Sequence, residues 1–496
     1  MEATSPEKTT DLTFWEHRSD LIRPPPPPRP MALALPRVLR WRAPNGLQVI
    51  AVPRPGLPIV SFSVAIKAGG YDERKGETEG VADFTAGMLR KGTRTRSADQ
   101  LSEAIDFVGG NLYTTTGGES TSVSCSAPSS SAGLCLDLLA DVLLHPTFPE
   151  PEMSEIRDQA LANLAALVDD PHLLAAEHFD NLLFGEAHPD GWVLSVENVR
   201  AITRKRLREF WKTFYRPNNA ILAVAGDVDV AALEGAIRRA FDGWKPAPIP
   251  PRPAFEIPAA RGMRAVLVDK PDLTQTTLMF GHAGVKHGDP DWYAVTLVDY
   301  VLGGSDISSR LMTEVRSKRG LTYGIGSSFG ATLYQGAFRV SAATRNETAW
   351  DAFLVAVDEI RKMKAGGPSA SELDKAKGYF AGSAPFELES TAGLARGIVA
   401  AELHGLGLSY VEELAVRLGA VDVAAARAAA AARLHPDDLS VVLVGRADVI
   451  EPQLRQARIA YERVDYRAPI SSAARRAAAT AAGAASAGHA DQGPPR

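Results

Sequence analysis

The chain has 496 residues, 45% of them hydrophobic and 23% charged, with 59 acidic against 54 basic side chains and a formal net charge of −5. That length exceeds one ordinary core and points to about two to four domains, while the mildly acidic balance gives no electrostatic ground for nucleic acid as a partner. No run approaches the roughly 18 apolar residues of a membrane helix, so no membrane span is expected.

The N-terminal stretch MEATSPEKTTDLTFWEHRSDLI has no hydrophobic signal region. It predicts a cytoplasmic protein, or a periplasmic one if the true start lies upstream. Residues 1–35 are polar and then proline-rich, with Pro24 to Pro28 in one run, and read as a disordered, semi-rigid extended segment. NGLQVIAVPR (45–54) and PIVSFSVAIKAG (58–69) alternate like two paired strands joined by a short Pro/Gly turn. The phrase GVADFTAGMLRKGT follows at 80–93, and NLYTTTGG (111–118) reads as an extended segment. Cys125 and Cys135 form neither a disulfide framework nor a zinc-knuckle spacing; beside apolar neighbours they read as buried thiols.

Farther along, Asn163 falls in IRDQALANL. Ile202, Leu207, Phe210, Trp211 and Phe214 recur at helical spacing, and the basic run TRKRLREFWK (203–212) is the wet face of that helix. The helix stops before Pro217, and AILAVAGDVD follows as a buried strand. A second proline cluster, KPAPIPPRPAF (245–255), reads as a linker. Then comes SSRLMTEVRSKRGLTYGIGSSF (308–329), in which Arg316 ends a helix, Gly320 allows a turn and Leu321-Thr322-Tyr323 opens a strand. Residues 350–364 carry Phe353, Val357 and Ile360 on one stripe, and Ser369 with Glu372 forms a capping box for the next helix. An alanine-rich helix from Val423 to Leu434 stops before Pro436, and LSVVLVGRAD follows. Pro217 and Pro436, Ala220 and Leu439, and Gly226 and Gly445 share one offset, which argues for an internal duplication.

These features predict an α+β chain whose two halves look like copies, each with helices on a mainly antiparallel sheet. The expected boundaries are 36–246 and 263–466, with a Pro-rich linker at 247–262 and a disordered Ala-rich tail at 467–496. The histidines offer no metal site: six residues separate His172 from His178 on a helix, and His282 and His287 flank a loop without a carboxylate at ligand spacing. They read as solvated or hydrogen-bonded side chains. No G-x-S-x-G or P-loop occurs, and the Gly-Gly pairs at 69–70, 109–110 and 303–304 read as turns and helix ends.

The 80–93 phrase resembles the active-site helix of the pitrilysin/insulinase zinc peptidases, which include mitochondrial processing peptidase and carry H-x-x-E-H before Met-Leu and Lys-Gly-Thr. Met88-Leu89 and Lys91-Gly92-Thr93 match. The motif positions hold Asp83, Ala86 and Gly87, and the downstream glutamate ligand aligns with Asn163. Zinc bound from one helix face needs the two histidines at i and i+4, so this resemblance implies a scaffold whose metal centre is gone. The 308–329 segment resembles the family's C-terminal signature, where an arginine and a tyrosine serve the reaction across the cleft; here they are Arg316 and Tyr323. A guanidinium fork and a phenol OH are two donors suited to a peptide carbonyl gaining negative charge.

The resemblance thus implies two homologous domains forming a clam-like pair, and a non-catalytic subunit with no activity or cofactor of its own. Its partner would be a homologous zinc-bearing H-x-x-E-H subunit, and the pair would hydrolyse peptides or unfolded segments held against a sheet edge such as 111–118. The alternative is a structural or peptide-binding core-type protein of the same fold with no role in proteolysis.

Overall fold

The computed structural model describes residues 31–32, 35, 37–258 and 262–471. The Pro24–Pro28 run, nearly all of the Ala-rich tail and residues 259–261 of the linker lie outside the described residues. The first half contributes β1 (Leu39–Arg42), β2 (Gln48–Pro53), β3 (Ile59–Ile66), β4 (Asn111–Thr116), β5 (Thr121–Pro128) and β6 (Ala220–Gly226). They form one sheet in the order β1-β2-β6-β3-β5-β4. The second half contributes β7 (Arg264–Asp269), β8 (Gln275–Ala283), β9 (Val285–Lys286), β10 (Thr322–Phe329), β11 (Ala331–Thr332), β12 (Ala337–Arg345), β13 (Ser440–Gly445) and β14 (Tyr461–Asp465). Its large sheet runs β10-β12-β8-β13-β7-β14, and β9 pairs with β11 in a separate ribbon.

The two large sheets share a topology. β6 runs parallel to β2 and antiparallel to β3, and β13 runs parallel to β7 and antiparallel to β8. The constant offset seen in the sequence is therefore a repeated fold. Only the far edges differ: β1 enters antiparallel to β2, whereas β14 lies parallel to β7.

β2 and β3 are not partners, contrary to the alternation reading. β6 lies between them, because AILAVAG is buried at every position and can only be a central strand. The capping box at Ser369 is as expected: its hydroxyl accepts the Glu372 N–H at 3.3 Å while Glu372 Oε2 accepts the Ser369 N–H at 2.8 Å. Phe353, Val357 and Ile360 all face the second core.

Each sheet buries one face under helices of its own half and the other under a helix lent by the opposite half. Leu174, Phe179 and Leu183 of the helix Pro171–Phe184 pack on Val266, Val268, Met279, Val442 and Val444. Reciprocally, Leu394, Ala395, Ile398 and Val399 of the helix Thr391–Leu403 pack on Ile50, Val52, Ala65, Ile221 and Ala223. A fully buried Ile or Leu contributes about 1.5–3 kcal/mol, so the exchange joins the halves through core rather than rim contacts. No helix among the described residues is long and apolar enough to cross a membrane.

The cysteines need correction. Cys125 on β5 and Cys135 on the helix Ala132–Leu144 are buried, and they are bonded to each other, with Cα atoms 5.7 Å apart. The short turn at Pro128–Ser131 folds the helix back against the strand it leaves, a proximity that a spacing of ten residues does not reveal.

Candidate functional site

The phrase at 80–93 forms the helix Val81–Met88. Gly80 precedes it at φ +82°, and a Cβ there would meet Leu194 Cδ1 at 3.0 Å. The helix entrance is capped by Glu73, which is 6% exposed and accepts the Gly80 N–H at 2.9 Å and the Ala82 N–H at 2.6 Å. Sequence reasoning passed over Glu73, since its partners are backbone groups seven and nine residues on. Burial pushes its carboxyl up to about 8 despite those two bonds, and the Glu79 and Asp83 carboxylates push the same way.

The native state therefore holds a proton on Glu73 that the unfolded chain releases near its ordinary value of 4.5. A raised native pKa contributes stability that is complete below the unfolded value and is lost as pH rises towards 8. Urea unfolding at pH 5 and pH 8 should show this loss, and Glu73→Gln should flatten the difference. An unchanged pH dependence in Glu73→Gln would assign the loss to other groups.

Asp83 points to solvent from this helix, and burial of its surroundings raises its carboxyl above the usual value. Ala86 is buried, and a Cβ at Gly87 would meet Ile156 Cδ1 at 3.6 Å, an ordinary contact. Asn163 lies on the helix Glu150–Ala166, its Oδ1 accepting from Gln159 Nε2 at 2.8 Å. These four positions offer one free carboxylate and a carboxamide already engaged, so a zinc ion held in the H-x-x-E-H manner does not fit them. Edge strand β4 lies alongside: Thr114 Oγ1 donates to the Ala86 carbonyl at 2.9 Å, and Arg90 donates to the Leu112 carbonyl at 2.7 Å. The segment 111–118 is thus an outer strand and its turn, with no further strand beside it among the described residues.

The second half repeats this arrangement with different side chains. Arg316 is exposed on the wide helical turns of Met312–Ser317, where Lys318 N–H reaches the Thr313 carbonyl at 3.0 Å, five residues back. Gly320 turns the chain at φ +61° into β10, the opposite sheet's outer strand. A bulge between Thr322 and Gly324 swings Tyr323 out, 86% exposed. The Thr322 hydroxyl fixes the bulge, donating to the Ala343 carbonyl at 2.6 Å and accepting the Gly324 N–H at 3.0 Å. Among the described residues, no hydrogen bond or ion pair joins Arg316 or Tyr323 to the Asp83 helix.

The histidines fall into two groups. His282 is buried and hydrogen-bonded, to the Ala283 carbonyl and from the His435 N–H. His287 departs from the expectation. Its Nε2 lies 3.3 Å from Glu119 Oε1, and His404 Nε2 lies 2.9 Å from Glu119 Oε2, so one carboxylate faces two imidazoles. The carboxylate that local spacing lacked comes from the other half of the chain.

Family models agree with this architecture. The model described as insulinase (peptidase family M16) matches residues 48–188, and the peptidase M16 inactive domain matches 201–379. An uncharacterized zinc protease of Streptomyces coelicolor is 30% identical over 391 residues, 77% of this chain and 84% of that protein. One from Mycobacterium tuberculosis is 32% identical over 372 residues, 74% and 83% of the two chains. A Pseudomonas fluorescens crystal structure described as a peptidase M16 inactive domain superposes with a TM-score of 0.77 at 28% identity, covering 83% of this chain and 98% of that one. A Helicobacter pylori protease gives the same TM-score at 22% identity, covering 83% and 100%, a likeness of fold. The chain belongs to the insulinase, or M16, peptidase family.

Proposed function

We propose that this chain is the non-catalytic subunit of a heteromeric M16 metalloendopeptidase, in which a homologous partner carries the zinc. One observation carries the reading. The zinc-helix positions hold no usable ligand set, while Arg316 and Tyr323 remain exposed at an open sheet edge, on a bulge that costs a strand its regular pairing. In the complex the partner's metal supplies the hydrolytic chemistry, and this chain supplies two hydrogen-bond donors and an edge strand. An extended peptide adds to such an edge through backbone hydrogen bonds, and among the described residues no strand lies beyond β10 or β4.

The compartment reading shifts as well. A buried Cys125–Cys135 bond is the chemistry of an oxidising environment, which favours a periplasmic location over the cytoplasm. Association is tested by co-expressing the chain with an H-x-x-E-H homologue from the same genome. Copurification at one-to-one stoichiometry is expected, and two chains that migrate independently at micromolar concentration would argue against the reading.

A further inference from the structure

Glu119, His287 and His404 come from three distant segments and two halves of the molecule, yet their ligand atoms lie within 4.8 Å of one another. Each is held by its backbone or by a neighbour. Glu119 sits in the turn between β4 and β5, its carbonyl accepting from Arg252 at 2.8 Å and its Oε1 from the Leu333 N–H at 2.7 Å. His287 follows β9 and donates its N–H to the Thr332 carbonyl at 2.9 Å. His404 ends the Thr391–Leu403 helix, with its N–H on the Ala400 carbonyl at 3.2 Å. The imidazoles stack with centroids 3.5 Å apart and planes 19° from parallel. All three side chains are 15–22% exposed.

We propose that these residues form a divalent transition-metal site that clasps the two halves together. Two imidazoles and one carboxylate suit zinc, cobalt, nickel or copper rather than magnesium or calcium, which prefer all-oxygen shells. Three protein ligands leave at least one position for water. A cavity of about 350 Å³ lies beside the His287 member of the cluster, lined also by Trp292, Tyr293, Tyr410 and Arg417. The rings stack nearly parallel, so on binding they must splay until both Nε2 lone pairs meet one point.

The site is separate from the Asp83 helix. The helix that ends at His404 also covers the first sheet, so metal binding adds directly to the contact that joins the halves.

The test uses the full chain stripped with a chelator and titrated calorimetrically with zinc chloride. One zinc per chain is expected, at micromolar or tighter affinity, together with a rise in Tm on loading. Cobalt should give an absorption spectrum of nitrogen and oxygen ligands without thiolate bands, and magnesium should give neither binding nor a Tm shift. Glu119→Gln, His287→Ala and His404→Ala should each weaken zinc binding by about 100-fold or more, whereas Asp83→Ala should leave it unchanged. The wild-type titration needs no variant to fold. Its failure to take up stoichiometric zinc would overturn the site, as would undiminished uptake by the His287→Ala/His404→Ala double variant.

Discussion

Tyr323→Phe is expected to lower kcat of the assembled peptidase by about 100-fold or more, with little change in KM. The substitution removes one hydrogen-bond donor and almost no volume. The side chain is already 86% exposed, so neither folding nor the bulge held by Thr322 depends on it. A donor that engages the peptide carbonyl only as charge develops acts on the transition state and spares ground-state binding. Arg316→Ala should cost at least as much, and Arg316→Lys should rescue it poorly, because an ammonium cannot reproduce the planar two-pronged donor. Steady-state kinetics on the reconstituted complex decide the matter. If both variants assemble and cleave at the wild-type rate, Arg316 and Tyr323 are structural, and the peptide-binding alternative moves ahead.

The second large effect is the return of a metal to the vacated helix. Asp83→His, Ala86→Glu, Gly87→His and Asn163→Glu together should create a zinc site in a chain that has none there. The variant belongs in a His287→Ala/His404→Ala background, so that any ion found is the new one. Space is available at residue 87, where a Cβ would lie at an ordinary 3.6 Å from Ile156 Cδ1, and Gly87→His also removes a helix glycine that costs about 1 kcal/mol relative to Ala. The readout is zinc content rather than activity, because the hydrogen bonds that orient the ligands need not survive. A folded quadruple variant that binds no zinc would show that the register is wrong, most directly at Asn163, the position farthest in sequence from the motif.

Much of the fold is legible in local patterns, and the exceptions share a cause. Helix ends at Ser369 and Glu372, the Pro217 and Pro436 stops and the repeated strands depend on residues a few positions apart, so the sequence displays them directly. Strand neighbours do not. The alternation of 45–54 and 58–69 marks two strands correctly but cannot show that β6, some 150 residues later, divides them. Its unbroken apolar run is the one hint that it takes a central place. The Pro171–Phe184 helix gives no sign that its apolar face serves the other half's sheet. The candidate positions divide in the same way: Asp83, Ala86, Gly87, Arg316 and Tyr323 lie in compact phrases, whereas Glu119, His287 and His404 meet only through tertiary closure. Even Cys125 and Cys135, close in sequence, needed the fold to show that one short turn brings them together.

The most direct test of the half-site account is a titration of this chain into a fixed amount of its zinc-bearing partner, with cleavage of an unstructured peptide followed throughout. The account predicts negligible cleavage by either chain alone and a rate that climbs linearly to saturation at one equivalent, where both halves of the site are complete. A partner fully active by itself, its rate unchanged by any amount of this chain, would contradict it.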